Sequence, residues 1–191
     1  RPRGGDFLYS PIEQRIMLKD ISNAHRLGAD GLVFGCLTAK GDIDIPLMEQ
    51  LMEASQGMPV TFHRAFDVCR NPQEALEQII ELGCSRILTS GQQSTAEQGI
   101  PLLKELQQQA AGRITLLAGC GVNENNIARI AAETGIREYH FSARENVKSA
   151  MTHHNEAVSM GGTVHIEEYC HPVTTARRVR KTIEVLINKA D

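Results

Sequence analysis

Hydrophobic and polar positions along the chain alternate between two periods. Short apolar runs at residues 31–36, 60–65, 86–90, 114–118 and 138–142 read as buried strands. Between them, apolar residues recur at helical spacing. The stripes are Met17, Ile21 and Ala24; Met48, Leu51 and Met52; Ala75, Ile79 and Leu82; Leu102, Leu103, Leu106 and Ala110; Ile127, Ile130 and Ala131; and Ala176, Val179, Ile183 and Leu186. Each stripe predicts a helix with one face against a core. Local signals mark the helix starts. Ser10-Pro11-Ile12-Glu13 combines a capping residue, a proline at the first helical position and a capping-box glutamate. Asn71-Pro72-Gln73-Glu74 repeats that logic, Asp44 and Pro46 open the second helix, and Ser94 to Glu97 reads as another capping box. Asn123 is placed to cap the fifth helix, and the last begins near Thr174. Gly28, Gly57, Gly83 and Gly112 stop the helices before them. Residues 144–170 carry neither period and read as a long irregular connection.

Five strands and six helices alternate at a spacing of about 25 residues, close to the minimum for a strand–helix unit in a parallel sheet. Two α/β architectures fit, a TIM (β/α)8-type barrel and an open doubly wound sheet. A barrel needs eight strands and about 250 residues. The chain has 191 residues and opens on a loop and a helix, without an initiator Met. The expectation is one barrel domain over residues 1–191 whose first strands precede Arg1 and are missing from this chain. An open sheet would normally begin with a strand.

Composition narrows the partners. A net charge of -3, no Trp and 4% aromatic residues argue against nucleic-acid binding and base stacking. No apolar run is long enough to span a bilayer, and the opening residues do not read as a secretory signal. Five scattered cysteines with no CxxC pair argue against a disulfide framework and for a reducing cytoplasm.

Candidate chemistry gathers at the strand ends. Alternation puts Val60, Phe62 and Arg64 on one face and Thr61, His63 and Ala65 on the other. The apolar face should meet the helices, so His63 should point inward, and by the same test so should Glu138, His140 and Ser142. Histidine titrates near neutrality and serves as acid, base or ligand. His63 and His140, with Arg64 and Asp67, are therefore the candidate catalytic residues. Asp67 could orient Arg64 or His63, or bind backbone amides of the following turn. Arg3 and Arg64 could hold a carboxylate or phosphate; Arg1, at the chain end, reads as surface charge. Gly119-Cys120-Gly121, ahead of a helix near Asn123, could admit an anion to backbone amides, with Ser90, Gly91 and Ser142 at equivalent strand ends. Cys36 and Cys120 follow strands and could supply soft thiolates to Cu(I) or Zn(II); small buried residues are the plainer reading. His153-His154 and Cys170-His171 match no standard ligand spacing.

Several of these residues together resemble the CutC family. They are Arg1-Pro2-Arg3-Gly4-Gly5-Asp6-Phe7, Gly41-Asp42-Ile43-Asp44, Thr61-Phe62-His63-Arg64-Ala65-Phe66-Asp67, Leu88-Thr89-Ser90-Gly91 and Ala118-Gly119-Cys120-Gly121-Val122. The likeness runs in order and fades after about Ala143. It implies a TIM-type barrel, a cytoplasmic location and self-association as a homodimer or homotetramer. It also implies a role in copper homeostasis, with Cu(I) as partner and copper as cofactor, through cysteines in strands that precede Arg1. The inner residues fit an alternative, an enzyme of lyase, isomerase or hydrolase type acting on a small anionic ligand through histidine acid/base catalysis.

Overall fold

The five apolar runs form one parallel sheet in chain order, β1-β2-β3-β4-β5, each strand beside its sequence neighbour. The computed structural model describes residues 1–164 and 166–187. The elements run α1 (Pro11–Arg26), β1 (Leu32–Phe34), α2 (Ile45–Ala54), β2 (Val60–Phe62), a 3-10 turn (Arg64–Val68), α3 (Pro72–Glu81), β3 (Arg86–Thr89) and α4 (Ile100–Ala110). They continue with β4 (Thr115–Gly119), α5 (Ile127–Thr134), β5 (Glu138–His140), β6 (Arg144–Lys148), β7 (Cys170–Thr174) and α6 (Ala176–Ile187). The parallel sheet belongs to a first compact unit, Arg1–Val122 with Arg129–His140. A second unit holds Asn123–Ala128 and the described residues from Phe141 onward.

The helix starts follow from local chemistry. The Glu13 carboxylate accepts from the Ser10 backbone N–H at 2.7 Å, satisfying a donor that the first turn of α1 leaves open. Asp44 accepts from Leu47 N–H at 3.2 Å and Asn71 from Glu74 N–H at 3.3 Å. The glycine after α3, Gly83, has φ +80, a left-handed turn that a side chain would disfavour.

The sheet has two unlike faces. Phe34, Val60, Phe62, Ile87, Thr89, Leu116 and Ala118 are buried against the helices, with Met48, Leu51, Leu76, Ile79, Leu103 and Leu106 opposite. Burying each such aliphatic or aromatic side chain is worth about 1.5–3 kcal/mol. On the other face, Val33, Thr61, Arg86, Leu88, Leu117 and Glu138 are half-buried or exposed. There Arg86 reaches over β4 to Glu138 at 2.6 Å.

Several sequence expectations change. β2 ends at Phe62, because the chain turns into the 3-10 segment with His63 as its cap. β5 ends at His140, so Phe141 and Ser142 lie outside it. α4 begins at Ile100, with Gly99 as cap, and not at Ser94. The Ala96 N–H is committed to the Cys120 carbonyl at 2.9 Å, so the Ser94 signal is overridden by a tertiary contact. Residues 144–170 do not run wholly irregular, because β6 and β7 pair antiparallel from Arg144↔Thr174 to Lys148↔Cys170. In α6 the buried position is Thr182, whose hydroxyl donates to the Arg178 carbonyl, whereas Ile183 is 44% exposed.

Candidate functional site

The chain leaves β2 at His63, and everything around that ring fixes it. The Ala65 N–H donates to His63 Nδ1 at 3.3 Å. Gly35, just beyond β1, leaves room for the ring, since a Cβ there would stand 2.9 Å from Nδ1. Phe7 meets the ring edge-on, with centroids 4.9 Å apart. Burial holds the imidazole pKa down at about 4, so at neutral pH the ring is uncharged. Because Nδ1 is the acceptor, the proton sits on Nε2. Nε2 is buried and has no hydrogen-bond partner. His63 thus presents a fixed, neutral N–H donor with nothing to donate to.

Beside it lies a dense knot around Asp67, whose side chain is 6% exposed. Its carboxylate accepts from Arg64 Nε at 2.6 Å, from the Thr89 hydroxyl at 2.6 Å and from the Ser90 N–H at 2.9 Å. The Gln92 N–H adds a longer contact at 3.3 Å. Arg64 Nη2 donates to Ser90 Oγ at 3.0 Å. The Ser90 hydroxyl has Asp67 Oδ2 at 3.0 Å and the Gln93 carbonyl at 2.6 Å as acceptors for its single proton. Of the roles open to Asp67, the structure shows two, orienting Arg64 and binding backbone amides. Both are structural: Asp67 ties the turn after β2 to the turn after β3, and Arg64 is held between them. Gly91 serves this knot through its backbone, its N–H donating to the Thr89 hydroxyl at 2.9 Å.

His140 is exposed at the end of β5, opposite Gly119 of β4. Register places it on the same sheet face as His63, through Thr61↔Arg86, Arg86↔Thr115 and Leu117↔Glu138. Two strands separate β2 from β5, however, so the rings stand roughly 14 Å apart along the sheet. They do not form a dyad acting on one bond. The glycines of the Gly119-Cys120-Gly121 turn serve packing. A Cβ at Gly119 would stand 2.6 Å from Leu88 Cδ1, and one at Gly121 3.1 Å from Thr95 Cγ2. The helix expected near Asn123 begins at Ile127. Ser142 lies in the second unit, where its carbonyl accepts from the Thr174 hydroxyl at 2.9 Å.

The N-terminal arginines divide their roles. Arg3 is spent locally, on Glu13 at 2.6 Å, Asp6 at 2.8 Å and the Leu8 carbonyl at 2.6 Å. Arg1, read from sequence as mere surface charge, lies over the Phe7 ring at 4.5 Å. Tyr9 was not a sequence candidate. It is 4% exposed, and its hydroxyl is the other buried polar side-chain atom without a partner among the described residues. No periodic or motif signal singles it out.

The donor set does not fit a thiolate metal centre. No group of three or more His, Cys, Asp or Glu that could hold a metal occurs among the described residues. Burial pushes the thiols of Cys36 and Cys84 up to about 12 and that of Cys69 up to about 11, so all three stay protonated at neutral pH. Cys36 and Cys120 follow strands separated by two others and do not face one another. In the second unit, His154 stacks on Tyr169 at 3.8 Å and His171 is paired opposite Val147. No described helix is long and apolar enough to cross a membrane.

Comparison with known proteins places the chain among relatives. Residues 1–145 match the model of the CutC family. A CutC family protein of Bacteroides thetaiotaomicron is 74% identical over 186 residues, which cover 97% of this chain and 75% of the relative. One from Parabacteroides distasonis is 56% identical over 183 residues, 96% of this chain and 75% of the relative. Among solved structures, CutC of Streptococcus agalactiae, described as a proposed copper homeostasis protein, aligns with a TM-score of 0.71 and 40% identity. That alignment covers 73% of this chain and 69% of the other. An aldolase aligns with a TM-score of 0.56 at 20% identity over 71% of this chain and 63% of the other, a likeness of fold alone.

Proposed function

The chain belongs to the CutC family, and from that premise we propose that it is an enzyme of the TIM-barrel type that binds a small anionic substrate at the carboxyl ends of its parallel strands. The observation that carries this reading is the buried, unpartnered Nε2–H of His63 at the end of β2. A barrel reading is supported by the in-order parallel sheet and by its second face, which in a closed barrel becomes the interior. A cytoplasmic location and self-association complete the reading.

The ring suits electrophilic assistance. With a pKa of about 4 it is a poor base at neutral pH, but its N–H can donate to a carbonyl oxygen that gains negative charge. Enolate and alkoxide chemistry of this kind is shared by lyases, isomerases and hydrolases. Arg64, clamped by Asp67 and Ser90, fixes the turn that follows His63. Copper handling, the role proposed for the Streptococcus agalactiae relative, finds no ligand set among the described residues, and no step is derived through the metal.

Titration calorimetry of the protein and of His63→Ala with small carboxylated and phosphorylated carbonyl compounds tests the reading. Saturable binding that disappears in His63→Ala supports it. Equal binding by both proteins, or thiol-dependent Cu(I) binding that withstands a competing chelator with no anion bound, overturns it.

A further inference from the structure

The ribbon of β6 and β7 is pinned in a register that decides which of its backbone groups face outward. The Ser149 N–H donates to the Tyr169 carbonyl at 2.7 Å and the Thr175 N–H to the Ala143 carbonyl at 3.2 Å, one bond at each end. Along an antiparallel pair, hydrogen-bonded and non-hydrogen-bonded positions alternate. The bonded positions are therefore Glu145 with Val173 and Val147 with His171. Arg144, Asn146 and Lys148 on β6, and Cys170, Pro172 and Thr174 on β7, aim their backbone groups away from the ribbon. The two outer edges differ. The middle residue of the β7 edge is Pro172, which has no N–H to offer. The middle residue of the β6 edge is Asn146, and no described residue supplies an outer backbone partner to Asn146 or Lys148. Asn146, Val147 and Lys148 are all exposed. A ribbon of two strands is marginal alone and gains stability from a further strand.

We infer that β6 pairs antiparallel with β6 of a second copy of this chain, about a twofold axis beside Val147. The inference rests on the self-association included in the function proposed above and gives it a surface. A twofold interface must be self-complementary. Outward backbone groups must also meet outward groups, so Arg144, Asn146 and Lys148 can oppose only one another or the next outward position, Ala150. Of the registers this allows, centring on Arg144 or on Lys148 sets each against its own copy. Centring on Glu145 sets two carboxylates face to face, and centring on Asn146 sets Arg144 against Lys148. Like charges directly opposite are destabilising. Centring on Val147 is the register without a like-charge pair. It sets Asn146 against Lys148 twice, closing four backbone hydrogen bonds, and sets the two Val147 side chains against each other. Each Val147 is 42% exposed in the single chain, and a β-branched cross-strand pair takes both from water. A single strand pair buries less than the roughly 1,200 Å² of a standard stable interface, so the dimer is expected to be weak and to depend on concentration.

The test is sedimentation velocity over a concentration series for the parent protein, Asn146→Pro, Val147→Lys and Val173→Lys. Asn146→Pro removes an outward N–H and leaves the bonds to β7 in place, as Pro172 does across the ribbon. Val147→Lys puts like charges on the axis. Val173→Lys alters the other exposed valine of the ribbon, away from the axis. The expected result is a dimerising parent, at least tenfold weaker dimerisation in the first two variants and parent-like dimerisation in the third. A second measurement uses Val147→Cys. Residues flanked by bonded pairs stand about 4.5 Å apart between Cα atoms, within the span of a disulfide. Mild oxidation should therefore join position 147 of two copies, mapped by mass spectrometry, and Val173→Cys should form no such link. A dimeric parent with Asn146→Pro and Val147→Lys undiminished overturns the inference while self-association stands. A parent that stays monomeric at every concentration overturns both. Should Asn146→Pro disrupt the ribbon, the Val147→Cys link still decides, since its absence in a dimeric protein overturns the inference.

Discussion

The backbone of Gly35 lies so close to the ring of His63 that a Cβ at Gly35 would stand 2.9 Å from Nδ1. It would also stand 2.9 Å from Phe62 Cζ, in a core where Phe62 cannot retreat. Gly35→Ala is therefore expected to destabilise the protein by about 1–3 kcal/mol, the usual cost of overpacking. It should also turn the imidazole and weaken ligand binding. Urea denaturation checks the first outcome, and titration of the folded variant the second.

Removing the carboxylate at Asp67 should be more costly. Asp67→Asn keeps the shape but leaves an amide among donors, facing Arg64 and the amides of Ser90 and Gln92. A hydrogen bond to a charged group is worth about 1.5–3 kcal/mol, and several are lost or inverted at once. A loss on the order of 3 kcal/mol is expected in the unfolding free energy, and an unchanged denaturation midpoint would refute the structural role given to Asp67.

The depressed pKa of His63 makes stability depend on pH in a defined window. The folded value is about 4 against an ordinary 6.5. The unfolded chain therefore takes up the proton first as pH falls. Stability contributed by the neutral ring is complete above about 6.5 and declines as pH drops toward 4. Allowing for the ring's partial exposure, the decline is on the order of 2 kcal/mol. His63→Gln should lack this component. Nitrogen NMR of the ring at neutral pH should show a single uncharged tautomer protonated at Nε2.

Thiol reactivity should divide the five cysteines. Cys36, Cys69 and Cys84 are buried, with pKa values raised to about 12, about 11 and about 12. They are expected to resist a thiol reagent at pH 8 until the protein unfolds. Cys120 and Cys170 are half-buried and should react first. Mass mapping of the labelled sites distinguishes the two groups.

The sequence revealed most where chemistry is local. Ser10 with Glu13, Asp44 and Asn71 announce their helices because a cap is decided within four residues. The strands announce themselves because a sheet covered by helices needs apolar side chains on that face. β6 and β7 did not, because both are mostly exposed and β7 contains Pro172, which argues against a central strand. Alternation suggested one shared sheet face for His63 and His140, but their separation depends on how many strands lie between them. The work of Asp67 was hidden too, since most of its donors lie 22 to 25 residues further along the chain. Tyr9 could not be read at all, because being unpartnered is a property of the packed interior alone.

The lattice of bonds at Asp67 also decides which side of the site can yield. Arg64 cannot swing without breaking contacts in two loops at once, so that wall behaves as a hinge post. Residues 1–9 are tied down on their own account, by Leu37 N–H donating to the Phe7 carbonyl, by Gln14 Nε2 donating to the Tyr9 carbonyl at 2.9 Å and by Arg3 on Glu13 at 2.6 Å. A substitution that loosens Asp67 should therefore be felt in both turns together, as a joint rise in amide exchange after β2 and after β3.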